Sequence, residues 1–228
     1  MRTPGNDFEL AMGFLFSEGV ISNKNDIIKV SRNDGLDDDS NLENTVLIEL
    51  NESVQLDPDK IRNFYINSSC GICGSSMVEG ISKIQSMDSN ASSLAIDESI
   101  LRQLPKKLRQ KQDAFGITGG LHASALFNIK GEILSLFEDV GRHNALDKLI
   151  GKQINENALP LSSFGLMLSG RTSFELVHKS ALAGIPLIVA IGAPSSLAIE
   201  AAWEYEITLV GFLNSERFNI YSYPKRII

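Results

Sequence analysis

Two cysteines three positions apart are the residues of this 228-residue chain best suited to covalent chemistry. Cys70 and Cys73 stand in the sequence Cys-Gly-Ile-Cys-Gly and are the only cysteines of the chain. A thiolate is the reactive form of cysteine, and glycines beside it let backbone N–H groups turn towards an anion. Two thiols at this spacing can also close on each other, which releases a bound sulfur by exchange. Cys70 and Cys73 are therefore the candidate catalytic residues.

Several kinds of site are compatible with this cysteine pair. A structural zinc site normally has four ligands, and the chain has neither a second cysteine pair nor a histidine pair to complete one. A thioredoxin-like redox pair would stand at the start of a helix, which residues 75–79 are able to form. A sulfur carrier needs an exposed, activated thiol on a mobile loop. The spacing does not separate the redox pair from the sulfur carrier, and a buried, inert pair is the plain alternative.

Other polar residues lie beside glycines at predicted turns and are candidates for binding an anion. Helix N-termini with a nearby arginine favour phosphate, and glycines allow a ligand to approach the backbone closely. Each turn also has an ordinary structural explanation, which is a β-bulge, a helix with surface ion pairs, or a serine N-cap. The candidates are Gly119, Gly120, His122, Arg142, His143, Ser169, Gly170, Arg171, Ser195 and Ser196.

A strand-helix-strand-helix-strand pattern in the C-terminal part predicts how several of these turns are positioned. The predicted strands are 164–170, 185–192 and 207–213, and the predicted helices between them are 172–184 and 195–206. This order indicates parallel strands joined by right-handed crossovers. Because ligands bind at the carboxyl ends of such strands, the turns after the three strands form a predicted binding edge.

The rest of the chain predicts a mixture of helices and strands. Asp7 is predicted to cap a helix over 7–18, and strands are predicted at 27–31 and 45–50 around a solvated acidic loop at 32–44. A turn at Asp57-Pro58 leads into a predicted strand that delivers Cys70. A helix follows at 97–111, then a hairpin turning near Lys130-Gly131. A further helix is predicted at 144–153, with Asp147 and Lys148 on a solvated face, and His178 is predicted to be structural.

Composition excludes several classes of protein. Hydrophobic residues make up 43% of the chain and the net charge is −7, which is typical of a globular protein without a broad nucleic-acid-binding surface. The sequence holds no apolar run long enough to span a bilayer, so no membrane partner is expected. The N-terminal residues lack a signal-peptide core, so a cytoplasmic location is expected.

The order of these motifs resembles the formate dehydrogenase accessory sulfurtransferase family, FdhD/NarQ. The matching stretches extend over nearly the whole chain, which makes the resemblance much more specific than a lone cysteine pair. They are RTPGNDFELAMGFLFSEGVI, SSCGICG, TGGLHASALF, EDVGRHNALDK, LSGRTSFELV, IPLIVAIGAPSSLAIE and GFLNSERFNIY.

The resemblance implies a function. Family members take sulfane sulfur from a cysteine desulfurase and deliver it to the molybdenum cofactor in its bis-molybdopterin guanine dinucleotide form. This cofactor is the bound client of the protein, and it is afterwards inserted into the formate dehydrogenase catalytic subunit. Cys70 corresponds to the persulfide-bearing cysteine and Cys73 to its partner. GDP would act as a partial mimic of the client. The family's cofactor-binding stretch corresponds to Phe212, Leu213, Asn214, Ser215, Glu216 and Arg217.

The resemblance also implies a homodimer and a fold similar to that of cytidine deaminases. Together with the strand pattern, this predicts a three-layer α-β-α fold of the α/β class, with a mixed sheet whose C-terminal part is parallel. We expect a single domain over 1–228, with the cysteine loop in 1–115 and the deaminase-like part in 116–228. Family members have further residues before RTPG, which leaves open whether this chain is shortened or renumbered and whether an edge strand is missing.

Two rival functions follow from the same residues. A zinc deaminase would need His-x-Glu followed later by Pro-Cys-x-x-Cys, whereas His122 is followed by Ala123 and Ser124 and the cysteines come earlier, so no metal site is expected. The second rival is a binding module that holds the cofactor without handling sulfur. Residues 213–216 are less basic than the corresponding family stretch, where an extra arginine is common, so the sequence assigns the positive charge there to Arg217.

Overall fold

A computed structural model describes residues 1–32, 44–55 and 94–228. Most of the predicted acidic loop at 32–44 lies outside the described residues. So do the predicted turn at Asp57-Pro58, the predicted strand that follows it, and both Cys70 and Cys73. None of the helices in the described ranges is long and apolar enough to cross a membrane.

The described residues form both helices and strands. The helices are α1 (Asp7–Ser17), α2 (Glu98–Lys111), α3 (Asp113–Thr118), α4 (Arg142–Asn155), α5 (Phe174–Leu182) and α6 (Ser196–Glu204). The strands are β1 (Ile27–Arg32), β2 (Val46–Leu50), β3 (His122–Phe127), β4 (Ile133–Asp139), β5 (Gly165–Leu168), β6 (Leu187–Ala190), β7 (Thr208–Gly211) and β8 (Asn219–Ser222). Short 3₁₀ helices occur at Lys24–Asp26 and Pro224–Arg226.

A six-stranded mixed sheet forms the centre of the fold, in the order β4-β3-β5-β6-β7-β8. The predicted parallel unit is confirmed, because β5 pairs with β6 and β6 with β7 in parallel. All residues of these three strands are buried, as expected for strands covered on both faces. The hairpin of β3 and β4 is also confirmed, and it turns where Gly131 adopts a left-handed φ of 67°. β8, which the sequence analysis did not predict, adds an antiparallel edge strand.

Two apolar cores, one on each face of the sheet, give the predicted three-layer α-β-α arrangement. On the first face, α4, α5 and α6 pack against inward residues of β5 to β7, including Leu166, Ile188 and Leu209. On the second face, α2 buries Leu101, Leu104 and Leu108 against the alternate residues of the same sheet. Because strand residues alternate between faces, one short apolar run supplies both cores. β1 and β2 form a separate antiparallel pair.

Helix α1 lies against α4 at two glycines that leave no room for a side chain. A Cβ atom built on Gly13 would lie 1.9 Å from the backbone oxygen of Asp147, and one built on Gly151 would lie 1.9 Å from that of Glu9. These glycines let the two helix backbones approach closely. The contact covers the face of α4 that carries Asp147.

The prediction that Asp147 and Lys148 form a solvated face of α4 is wrong. Each is only 1% exposed. α1 and the N-terminal segment cover this side of α4, and each charge has an opposite charge within hydrogen-bonding distance. Buried charges are tolerated when they are paired in this way.

The predicted cap at the start of α1 is also wrong. The N-cap residue is Asn6, in a left-handed conformation and without a side-chain capping bond, and Asp7 is the first helical residue. Asp7 instead pairs with Arg2 at 2.5 Å and with Arg32 at 3.6 Å. Its carboxylate therefore joins the N-terminal segment to β1. The hydrogen bond from Arg2, together with the charges of Arg2, Arg32 and Lys148, holds the pKa of Asp7 below its usual value, although burial alone would raise it.

Candidate functional site

One edge of the central sheet gathers the turns that the sequence analysis singled out. β5, β6 and β7 are parallel, so the turns that follow them lie at the same edge. β3 runs the opposite way, so that its first residue, His122, lies at this edge beside Asp139 at the end of β4. Because α4 follows β4 and α5 follows β5, the N-termini of both helices lie at this edge.

His122, Arg142 and Arg171 form a cluster at this edge. Gly170 faces the imidazole of His122 closely, since a Cβ atom on Gly170 would lie 2.9 Å from its Nδ1. Burial lowers the pKa of His122, and the positive charges of Arg142 and Arg171 lower it further. His122 is therefore neutral at neutral pH, and the cluster draws its positive charge from the two arginines.

Part of the Arg142 side chain is buried without a hydrogen-bond partner. Its Nε atom has none among the described residues, and the same holds for the hydroxyls of Thr172 and Ser124 near the same edge. Thr172 and Ser124 are each 1% exposed. Buried polar atoms normally have partners, so unpaired ones at a sheet edge are suited to a polar ligand or to water.

A chain of charged and polar side chains links the second residue of α4 to the interior. The Nε2 atom of His143 lies 3.1 Å from the Ser173 hydroxyl and 3.4 Å from the Glu175 carboxylate. Glu175 is 3.4 Å from Lys179, which pairs with Asp147 at 2.6 Å. Burial lowers the pKa of His143 to about 4, because the Glu175 charge only partly offsets burial and the nearby cations. His143 is therefore neutral at neutral pH.

The N-terminal segment closes over the start of α4 through a second buried ion pair. Asp139 and Lys148 lie 2.7 Å apart. The backbone of Thr3 joins both partners, since its N–H donates to Asp139 at 3.0 Å and its carbonyl accepts from Lys148 at 2.9 Å. Asp139 also accepts from the backbone N–H of Gly141 at 2.8 Å. These contacts position the turn that carries Arg142 and His143.

The helix N-termini at this edge differ in how they are capped. α4 and α5 have no side-chain capping bond from a described residue, so their first N–H groups are available to an anion. Ser195 caps α6, and its hydroxyl accepts from the N–H of Ala198 at 3.2 Å. The structural explanation for Ser195 is thus confirmed, while Ser196 is the exposed first residue of the helix.

The loop of residues 212–217 follows β7 at the same edge. Phe212 is 47% exposed with a left-handed φ of 53°, and its N–H donates to the carbonyl of Gly192 at 3.2 Å. The side chain of Leu213 is 1% exposed in the second core, so its side chain is unavailable to a ligand at the surface. The loop closes on itself through the Asn214 Oδ1 atom, which accepts from the N–H groups of Glu216 and Arg217 at 2.8 and 2.9 Å.

The remaining predicted site residues occupy more ordinary positions. Gly119 ends α3 with a left-handed φ of 66°, and Gly120 is exposed in the link to β3. The Ser169 hydroxyl accepts from the N–H of Ala123 at 2.7 Å and so joins β5 to β3. Cys70 and Cys73 lie outside the described residues.

Sequence reasoning missed several residues of this edge. Ser173 is the N-cap residue of α5 and Glu175 is its second residue, both close to the Arg171 turn. Their place at the start of a helix that follows a strand was an available signal. Thr172 and Ser124 gave no signal, because a hydroxyl on a strand or turn is common in any fold. Lys179 was passed over as a polar residue within a helix.

Comparison with known proteins assigns the chain to a family. The model of the FdhD/NarQ family matches residues 1–228. A relative named sulfur carrier protein FdhD from Saccharolobus solfataricus is 43% identical over 228 residues, which is 100% of this chain and 82% of the relative. One of the same name from Mycolicibacterium paratuberculosis is 43% identical over 229 residues, covering 100% and 84%.

A solved structure supports the fold. The crystal structure of a protein assigned as a formate dehydrogenase accessory protein, from Desulfotalea psychrophila, superposes with a TM-score of 0.75 at 24% identity, covering 100% of this chain and 82% of that one. The mixed α/β fold and the family resemblance are thus both confirmed. On the evidence of the full-length match and the curated relatives, this chain belongs to the FdhD/NarQ family.

Proposed function

We propose that the protein is a sulfur carrier that loads sulfur onto the molybdenum cofactor before its insertion into formate dehydrogenase. The main support is the full-length similarity, at 43% identity, to relatives named sulfur carrier protein FdhD. The chain also has the Cys-Gly-Ile-Cys sequence that a persulfide carrier needs. The cofactor is the client of the reaction, and a cysteine desulfurase is the sulfur donor.

The loading step is a thiol–persulfide exchange. The Cys70 thiolate attacks the outer sulfur of the persulfide on the desulfurase, and a new S–S bond forms on Cys70. The S–S bond of the donor breaks, and the desulfurase cysteine leaves as a thiolate. The sulfur is transferred without net oxidation or reduction.

Cys73 provides the release step. Its thiolate attacks the Cys70 sulfur atom, a Cys70–Cys73 disulfide forms, and the outer sulfur leaves as hydrosulfide. Two electrons pass from the two cysteines to the released sulfur, and a cellular dithiol reductant restores the thiols. The hydrosulfide would replace an oxo ligand of molybdenum in the client and become a sulfido ligand. The displaced oxygen takes the hydrosulfide proton and one proton from solvent and leaves as water.

The sheet edge is the proposed binding surface for the nucleotide ends of the client. Arg142 and Arg171 supply positive charge, and the uncapped starts of α4 and α5 supply N–H donors for phosphate. The exposed ring of Phe212 is suited to stack on the guanine. Arg217, exposed at the end of the 212–217 loop, is suited to pair with a phosphate oxygen.

Replacement of the carrier cysteine in cells tests the sulfur-transfer role. A strain lacking its own FdhD protein should regain formate dehydrogenase activity with the wild-type chain and not with Cys70→Ala. Activity supported by Cys70→Ala would instead favour a cofactor chaperone that does not handle sulfur. If formate dehydrogenase activity is lost in Cys73→Ala alone and Cys70 carries no persulfide, the result would favour a thiol-redox protein.

We also propose that the protein is a homodimer, as the family resemblance implies, and that it works in the cytoplasm. Light scattering at micromolar concentration should report twice the mass of the 24.9 kDa chain. A monomeric mass at that concentration would contradict the dimer.

A further inference from the structure

An arginine from a distant part of the chain reaches the 212–217 loop. Arg102 lies on α2, on the face of the sheet opposite α4 and α5, and its Nη1 atom donates to the backbone carbonyl of Glu216. Its guanidinium also lies over the ring of Phe218, 5.4 Å from the ring centroid. Two contacts of different kinds therefore hold this side chain against the loop.

The loop has no net charge of its own. It contains one acidic residue, Glu216, and one basic residue, Arg217. Their N–H groups are both occupied by the Asn214 side chain, so the backbone of this turn offers few donors to a ligand. Any net positive charge around the loop must therefore come from residues outside it.

The charge of Arg102 is only weakly compensated. Its carboxylate partner is Glu98, one helical turn earlier, at 3.4 Å and with a side chain 57% exposed. Exposed pairs of this kind contribute little and are screened by salt. The Arg102 side chain keeps 33% of its surface exposed, and a guanidinium has five N–H donors to share.

We propose that Arg102 is a positioning residue of the nucleotide site. It fixes the 212–217 loop through the Glu216 carbonyl and supplies the positive charge that attracts the diphosphate group of a guanine nucleotide. This inference rests on the proposed function, in which the same loop binds the nucleotide end of the cofactor.

Calorimetric titration with GDP tests the proposal, with a matched control on the same helix. Arg102→Gln should weaken binding about tenfold, the loss typical of a charged hydrogen bond. Arg102→Lys keeps the charge and should recover part of that loss. The control is Arg109→Gln, since Arg109 also stacks on a phenylalanine, Phe115 at 4.1 Å, but is no partner of the loop among the described contacts. Its GDP affinity should match that of the wild type.

The dependence on charge separates this role from a purely structural one. Glu98→Gln removes the competing carboxylate and should tighten GDP binding, and Arg102→Gln should make binding less sensitive to salt. A structural role alone would change the melting temperature without changing the salt dependence. Wild-type protein that binds GDP no better than Arg102→Gln does would overturn the proposal for Arg102. Wild-type protein that does not bind GDP would overturn the nucleotide part of the proposed function as well.

Discussion

Asp147 on α4 and Lys179 on α5 form an ion pair inside the protein, with 2.6 Å between carboxylate oxygen and ammonium nitrogen. The residues are 1% and 3% exposed. Burial raises the pKa of Asp147 and would lower that of Lys179, but the carboxylates of Asp147 and Glu175 together raise the pKa of Lys179 above its usual value. Since Ser17 also donates to Asp147 at 2.9 Å, the ionised pair is the favoured form.

Removing one member of this pair should strongly destabilise the fold. Asp147→Ala removes the closer carboxylate of Lys179 and leaves its buried charge with only Glu175, at 3.4 Å. Losing one member of a buried pair typically costs about 3–5 kcal/mol of unfolding free energy. The matched control is Lys152→Ala, which breaks the exposed Lys152–Glu156 pair of the same helix at 3.0 Å and should cost less than about 1 kcal/mol. Urea unfolding measures both variants, and similar losses in the two would contradict the account.

Gly13 should tolerate no side chain. A methyl group there would meet the Asp147 carbonyl, so Gly13→Ala should cost at least about 1–3 kcal/mol through overpacking. Gly116 lies in α3 with nothing within 4 Å of an added Cβ, so Gly116→Ala should stabilise by about 0.5–1 kcal/mol. Thermal unfolding of the two variants should move in opposite directions. A neutral Gly13→Ala would show that α1 does not pack closely on α4.

His143 should stay unprotonated until the solution is distinctly acidic. Burial lowers its pKa to about 4, whereas in the unfolded chain it titrates near its ordinary value of about 6.5. The unfolded state therefore binds more protons between these pH values. Stability from this residue is complete above pH ~6.5 and is lost as the pH falls towards 4, by about 3 kcal/mol at most.

NMR titration of the three histidine rings measures this directly. The His143 signals should have a midpoint near pH 4, and His143→Gln should flatten the decline of stability between pH 6.5 and 4. A midpoint near that of an exposed histidine would mean that Glu175 holds the ring in its charged form.

Two arginines at the sheet edge should each contribute to nucleotide affinity. Arg171→Ala and Arg217→Ala should each weaken GDP binding by about tenfold to a hundredfold, corresponding to about 1.5–3 kcal/mol per charged hydrogen bond. The control is Lys130→Ala, which removes an exposed cation at the hairpin turn on the other edge of the sheet. Equal affinity in all variants would remove both arginines from the site, and a crystal with nucleotide on the opposite edge would contradict the placement.

Much of the C-terminal fold could be predicted because its physical signals are local. Short, wholly apolar strands such as β5 and β6 alternate with helices, and this alternation specifies parallel pairing and the edge at which ligands bind. β8 was missed because a four-residue strand with three partly exposed positions gives almost no pattern. The turns that carry Arg171 and Phe212 were predicted to share one edge because each follows a parallel strand. The position of His122 at that edge was not predicted, since it depends on the antiparallel pairing of β3 with β5.

The errors concern contacts that no local pattern reveals. Asp147 and Lys148 have the composition of a solvated helix face, and only the approach of α1 at Gly13 turns that face inward. Arg102 has the i,i+4 spacing of an ordinary surface pair with Glu98, and its contact with Glu216 spans 114 residues. Charges buried by long-range packing are therefore the part of the site that sequence reasoning could not reach.

The central claim is that Cys70 carries sulfur as a persulfide, and mass spectrometry of the intact protein tests it. After incubation with a cysteine desulfurase and cysteine, the wild type should gain the mass of one sulfur atom, and a reductant should remove it. Cys73→Ala should still gain that mass, and Cys70→Ala should not. If only Cys70→Ala is labelled, the roles of the two cysteines are reversed. If no variant and no wild-type protein gains sulfur, the sulfur-carrier account is contradicted.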